Sequence, residues 1–298
     1  MKVFVTGASG FVGGALIPEL IESGHKVVAL ARSDQAEQKI QKLSSDIEIV
    51  RGSLQDLEVL EKAAAASDGV IHLGFLHDFS KFEEACLVDR KATVAMLEAL
   101  KGTNKPYVQT TGTLMFAPGV LATETTDKSG SGLGSLRSET EDIVLSYKDK
   151  GVRALEVRLS PTVHGKGDQG FIPALIQIAK KSGKSGYIGD GSNVWPAVSR
   201  WDAGCLFRLV LEKGRAGAVY HAVAEEGVKT RDIAEAIGEL LSVPTESIDA
   251  AKATEHFGFL AAFFGRNSPA SSKITREELG WAPKELGLLD DIHANYAS

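Results

Sequence analysis

Short apolar runs alternate with helix-period stretches through the first half of this chain. Residues 2–6, 26–31, 47–51, 69–74 and 106–111 read as buried strands, and residues 11–23, 34–43, 56–66 and 80–101 as the helices between them. Such alternation predicts an α/β fold, a doubly wound parallel sheet with helices on both faces, in which ligands sit beyond the carboxyl ends of the strands. Pro18 falls inside the first helix and predicts a bend or a loosened turn, with Gly14 four residues earlier easing the ring clash. Asp34 is expected to N-cap the second helix. Beyond the fifth strand, the glycine- and serine-rich stretch 123–135 predicts a mobile loop or lid, because helix 136–149 and strand 152–158 resume the pattern. From about Gly165 the order is less regular: helix 170–182, a Gly189-Asp190-Gly191 turn, helix 202–213, strand 217–223 and helix 230–241.

The first strand breaks into Thr6-Gly7-Ala8-Ser9-Gly10-Phe11-Val12-Gly13, and helical apolar spacing follows at Val12, Leu16 and Leu20. Gly7 permits a sharp exit from the strand, Gly10 lets a diphosphate approach the backbone, and Gly13 lets the helix pack closely on the strand. The free N–H groups of the helix start then face the phosphates. This context predicts dinucleotide binding by Thr6, Gly7, Ser9, Gly10, Phe11, Val12 and Gly13; the alternative is a glycine turn without a ligand. The division that follows is a Rossmann domain over 1–164 and a smaller α/β substrate lobe over 165–298, interleaved with the core.

At 298 residues the chain is long enough for both parts, and 43% apolar with 24% charged residues is an ordinary soluble balance. The net charge of -6, with no lysine/arginine-rich block, argues against a nucleic-acid or anionic-membrane partner. Cys86 and Cys205 are far apart and in no metal-like spacing, so reduced core thiols are expected, and no metal. The N-terminal apolar run is too short for a signal or membrane segment, which predicts a cytoplasmic location.

The motif Thr6 to Gly13 resembles the extended short-chain dehydrogenase/reductase (SDR) superfamily, which includes NAD(P)-dependent epimerases, dehydratases and ketoreductases. Residues 69–75 are similar to its fourth-strand segment and residues 157–165 to its sixth. Gly189-Asp190-Gly191 with Asp202-Ala203, and residues 279–283, are similar to its C-terminal signatures. The resemblance implies that Ser53 and Leu54 flank the adenine and that Leu73, Gly74 and Phe75 pass under the diphosphate and ribose. It also implies that Pro161, Thr162, Val163 and His164 run beside the nicotinamide, with Thr110 at the fifth-strand motif. His164 also reads as a packed residue with no ligand. At the end of the second strand a carboxylate would bind the ribose hydroxyls and repel a 2′-phosphate, whereas arginine would pair with it. Ala31 stands where NAD-preferring relatives carry aspartate, and Arg32 and Ser33 follow as donors, which predicts NADP(H). The alternative for Arg32 is a solvated surface side chain.

Family members reduce carbonyls with a tyrosine whose pKa is lowered by a lysine four residues on. The tyrosines here are 107, 147, 187, 220 and 296, and the residues four after the first four are Thr111, Gly151, Gly191 and Ala224. Aligning Arg137-Ser138-Glu139 with the active-site helix puts Ser135 in the tyrosine's place and Glu139 in the lysine's. Gly112 falls at the usual serine, flanked by Thr111 and Thr113. Thr111, Thr113 and His77 are the candidate catalytic groups, with the two threonines on one face if the strand continues through Gly112. His77-Asp78 also reads as a plain polar loop.

Nucleotide-sugar enzymes of this superfamily commonly place an arginine shortly after the Gly-Asp-Gly turn; here no cation follows until Arg200. Trp195 and the aromatic run 257–264 read either as walls of an apolar pocket or as core or dimer contacts. The leading expectation is an NADPH-dependent oxidoreductase acting on a small-molecule carbonyl substrate, a small or apolar aldehyde or ketone. The alternatives are a non-catalytic NADP(H)-binding redox sensor and, less favoured, a nucleotide-sugar epimerase. A homodimer through helices near 80–101 and 136–149 is implied by the resemblance.

Overall fold

A computed structural model describes residues 1–77, 81–128 and 135–297. Its main sheet contains β1 (Lys2–Thr6), β2 (Lys26–Ala31), β3 (Glu48–Arg51), β4 (Gly69–His72), β5 (Pro106–Gly112), β6 (Arg153–Leu159) and β10 (Val219–Ala222). They lie in the order β10-β6-β5-β4-β1-β2-β3, and every neighbouring pair is parallel. Their near-continuous apolar sequences follow from burial on both faces. On one face, α1 (Gly13–Glu22) and α7 (Arg200–Lys213) enclose a core with Val5, Ile71, Val108 and Val157. On the other, α3 (Leu57–Ala65), α4 (Phe82–Leu100) and α5 (Ser135–Ser146) cover Phe4, Val70 and Tyr107.

The second lobe carries β7 (Thr162–His164), β9 (Val194–Ser199) and β11 (Glu225–Lys229) as a mixed three-stranded sheet. β8 (Ser185–Ile188) and β12 (Thr245–Ile248) form a parallel pair. Around them pack α6 (Phe171–Ser182), α8 (Thr230–Leu241), the short α9 (Ala253–Phe257) and α10 (Ala261–Phe264), and α12 (Leu288–Asn295). α11 (Lys273–Leu279) instead returns to the main sheet beside β10. The chain thus crosses between the lobes more than once: α7 and β10 complete the main sheet from sequence beyond residue 164.

Several local expectations are corrected. α1 begins at Gly13, later than expected, because residues 8–12 form the turn; Pro18 lies inside it. Ser33, not Asp34, caps α2 (Asp34–Gln41): its extended backbone lets the hydroxyl oxygen accept from the Ala36 N–H at 3.2 Å. Asp34 pairs instead with Arg51. β4 stops at His72, because the Gly74 N–H turns to the Thr6 side chain. β5 ends at Gly112, and Thr113–Met115 form a 3₁₀ turn. Of the expected lid over 123–135, residues 129–134 lie outside the described residues; residue 122 forms a parallel bridge with Ala270.

Candidate dinucleotide and active site

The turn after β1 is shaped by close backbone contacts. Gly7 has φ +70°, and a Cβ there would lie 2.7 Å from the Gly74 nitrogen; a Cβ on Gly13 would lie 2.3 Å from the Gly7 carbonyl oxygen. Gly10 is exposed, and the only backbone a Cβ there would crowd is Gly7, at 3.0 Å from its carbonyl oxygen. Among the described residues no side chain caps the start of α1. An uncapped helix N-terminus beside an open glycine turn suits a diphosphate. Ser9, Phe11 and Val12 are half-buried along this turn. Thr6 is beneath it, fully buried: its hydroxyl accepts from the Gly74 N–H at 3.0 Å and bonds His72 Nδ1. Thr6 therefore ties β1 to the loop after β4.

At the end of β2, Ala31 is buried and Arg32 exposed. Register pairs Ala31 with Arg51, whose guanidinium bonds Asp34 at 2.6 Å and Glu37 at 2.9 Å. Ser53 turns inward on its own loop, its N–H and O–H both donating to Asp56, which holds that carboxyl below the usual range. Leu54 is buried against Gly74, 3.1 Å from where a Cβ would stand, so the two form a floor under this edge of the turn. Leu73 and Phe75 are half-buried along the same loop.

At the ends of β5 and β6 the expected hydroxyl pair separates. Thr111 is buried and donates to Glu141 Oε2 at 3.2 Å. Thr113 belongs to the following turn, not to the strand, and its buried hydroxyl has no hydrogen-bond partner among the described residues. The two do not share a strand face, because the strand stops between them. Thr110 donates to the His72 carbonyl. His77 is exposed as a residue, yet its ring stands edge-on to Phe75 at 5.5 Å. That desolvation and then the charge of Arg137 hold its pKa below the ordinary histidine value. Asp78 lies outside the described residues.

The first turn of α5 carries the positions aligned with the family's active-site helix. Glu139 points outward to Arg90 at 2.7 Å, and Ser135 is half-buried. Arg137 is the residue turned to the strand ends. It donates to the Thr110 carbonyl, lies 3.6 Å from Asp89 Oδ2 and stacks 4.3 Å over the Phe75 ring. Asp89 in turn faces His72 Nε2 at 3.2 Å. Sequence reading missed Arg137; the signal was its spacing of four from Glu141, which puts both on one helix face.

Beneath this region lies a buried polar layer. Gln109 and Thr111 on β5 are in register with Glu156 and Arg158 on β6. Burial raises the Glu141 carboxyl, but Arg158 and Lys128 outweigh that and hold it below the usual range. Burial, with the charge of Glu141 added, pushes Glu156 well above the carboxylate range. His221, buried beside Arg158, is lowered to about 3.

The remaining expectations fall on the lobe junction. Thr162 donates to the Pro196 carbonyl, and Val163 is half-buried. His164 is buried with Nδ1 2.9 Å from Asp291 of α12. Pro161 is half-buried at the turn between β6 and β7. Trp195 is fully buried among Phe171, Phe263 and Phe264, its indole N–H on the Phe263 carbonyl, so it is core. Arg200 stacks between Phe11 and Trp201 and donates to the Lys166 carbonyl.

A parallel sheet in this order, opening on a glycine turn at the first strand, defines a Rossmann fold. The chain belongs to the NAD dependent epimerase/dehydratase family, whose model matches residues 3–236. It is 57% identical over 297 residues to an uncharacterized protein of Saccharomyces cerevisiae, covering 100% of this chain and 99% of that one. It is 25% identical to a 4-hydroxy-2-methyl-3-oxo-4-farnesyl-3,4-dihydroquinoline-1-oxide ketoreductase of Stigmatella aurantiaca, covering 87% of this chain and 80% of that protein. Its fold matches that of dTDP-glucose 4,6-dehydratase from Streptomyces venezuelae with a TM-score of 0.80 at 17% identity, over 99% of this chain and 95% of that one. Among the described residues no helix is long and apolar enough to cross a membrane.

Proposed function

We propose that this chain is an NADP(H)-dependent oxidoreductase that reduces a small or apolar aldehyde or ketone. The end of β2 carries the cofactor choice: Ala31 is buried and uncharged where a carboxylate would exclude a 2′-phosphate, and exposed Arg32 follows it. Ser33 adds a hydroxyl at the start of α2; its oxygen accepts from Ala36, which leaves the O–H to donate. The dinucleotide, when bound, supplies the hydride. The turn from Gly7 to Gly13 holds its diphosphate, and Leu54, Leu73 and Gly74 support its adenosine half.

The reductase reading is supported by the ketoreductase relative and by the sequence after the Gly189-Asp190-Gly191 turn, which carries no lysine or arginine for a nucleotide sugar before Arg200. Titration with NADPH and NADH, followed by NADPH oxidation with a panel of carbonyl compounds, tests both halves.

One observation favours a second reading, a cofactor-binding sensor without catalysis. Four tyrosine hydroxyls are committed elsewhere: Tyr107 to Gln109, Tyr147 to Glu98, Tyr220 to Glu278 and Tyr296 to Asp168. Tight NADPH binding with no turnover on any carbonyl would select it.

A further inference from the structure

We propose that Arg137 binds the carbonyl oxygen of the substrate and stabilises the negative charge it gains during reduction. The inference rests on the reductase reading above. Arg137 is the cation that α5 turns toward the carboxyl ends of β4 and β5, with its side chain only 16% exposed. Three elements hold it: the Thr110 carbonyl from β5, Asp89 from α4 and the Phe75 ring from the loop after β4. Asp89 is itself buried and faces His72, whose other ring nitrogen bonds Thr6 beneath the glycine turn. A line of buried polar contacts therefore connects the floor of the dinucleotide turn to this guanidinium.

A guanidinium stays charged at every working pH, so Arg137 cannot serve as the proton donor. It can serve as a fixed, partly desolvated charge, and such preorganised groups act most strongly where negative charge develops. In the step assigned to it, the carbonyl carbon gains a hydride and its electron pair from the reduced nicotinamide, which is oxidised. The carbonyl π pair moves onto oxygen, and the resulting alkoxide lies against Arg137. That oxygen then takes a proton from water, and the hydroxide left behind is neutralised by buffer. No phenol is needed in this sequence.

The test compares the parent with Arg137→Gln, Arg137→Lys and the outward-facing control Glu139→Gln. NADPH affinity is measured by fluorescence titration, turnover on a reduced carbonyl across pH, and calorimetric binding of benzoate and of neutral benzyl alcohol to the NADP⁺ complex. Arg137→Gln is expected to keep NADPH affinity while losing about 10²–10³ in turnover, the usual loss for one oxyanion donor. It should also lose benzoate binding at least about tenfold with benzyl alcohol unaffected, as removal of a charged donor implies. Arg137→Lys should regain part of the turnover but acquire a fall at alkaline pH as the ammonium deprotonates, a fall the parent lacks. Glu139→Gln should match the parent. Parent-like turnover in Arg137→Gln, or equal benzoate binding in the two proteins including none in either, overturns the assignment while leaving the reductase reading intact. A parent that binds NADPH but reduces nothing overturns both. If Arg137→Gln melts well below the parent, the pH profile of Arg137→Lys decides: a profile identical to the parent's overturns the role.

Discussion

Glu141 and Arg158 meet across the contact between α5 and β6 through two hydrogen bonds, Nη2 to Oε1 at 2.5 Å and Nε to Oε2 at 3.0 Å, with both side chains buried. The pair fixes the rotation of α5. Because Glu141 faces the sheet, Arg137 one turn earlier faces it too, and Glu139 between them turns out to solvent and Arg90. Lys128 adds a third contact, its Nζ 3.2 Å from the same carboxylate.

Removing one side of this pair should be costly. Arg158→Met leaves Glu141 buried with Lys128 as its remaining cation, and broken buried pairs typically cost about 3–5 kcal/mol. Denaturant unfolding should register a loss of that size. A loss below about 1 kcal/mol, the range of exposed pairs, would mean that the contact does not hold the helix.

The end of β2 should set cofactor preference. Arg32→Ala is expected to weaken NADPH binding by about 1.5–3 kcal/mol, the range for a hydrogen bond to a charged group, with little change for NADH. Equal affinities for the two cofactors in the unmodified protein would remove the basis for choosing NADP(H).

Gly10→Val tests the phosphate turn. The site is exposed, and the one close contact of a Cβ there, 3.0 Å from the Gly7 carbonyl oxygen, asks that turn to give by only a few tenths of an ångström, so the fold should persist by circular dichroism. The branched side chain would stand where the diphosphate approaches, and NADPH binding should be lost. Parent-like affinity in this variant would move the phosphates off the turn.

Glu156 predicts a pH dependence. Burial and the neighbouring Glu141 charge raise its pKa in the folded chain well above the carboxylate value of 4.5. Below the unfolded-state pKa the group is protonated in both states and its contribution is intact. As pH rises toward the raised folded value, only the unfolded chain loses the proton, and stability falls. Glu156→Gln should therefore be more stable than the parent by a margin that widens from acidic to neutral pH and vanishes in acid. A constant margin in denaturant melts would assign the effect to packing alone.

The parallel sheet was legible in the sequence because its strands are apolar on both faces and bounded by glycine, and α8 (Thr230–Leu241) because its apolar positions keep strict helical spacing. The lobe strands were not: β8 and β12 are four residues each, and β9 runs Val194–Ser199 with Pro196 inside it, a residue that normally argues against a strand interior. The glycine turn carried its own signal in spacing. Arg137 carried only its spacing of four from Glu141, because the helix rotation that turns it to the sheet is set by Arg158 from distant sequence. Thr111 and Thr113 misled for the opposite reason: alternation was extended through Gly112, where the backbone leaves the strand.

NADPH oxidation with a broad panel of small and apolar aldehydes and ketones, run beside a binding titration on the same protein, tests the central claim most directly. The account predicts tight NADPH binding and oxidation of the cofactor with at least one of these carbonyl compounds. Tight binding with no oxidation by any of them would contradict it and leave a cofactor-binding protein without catalysis.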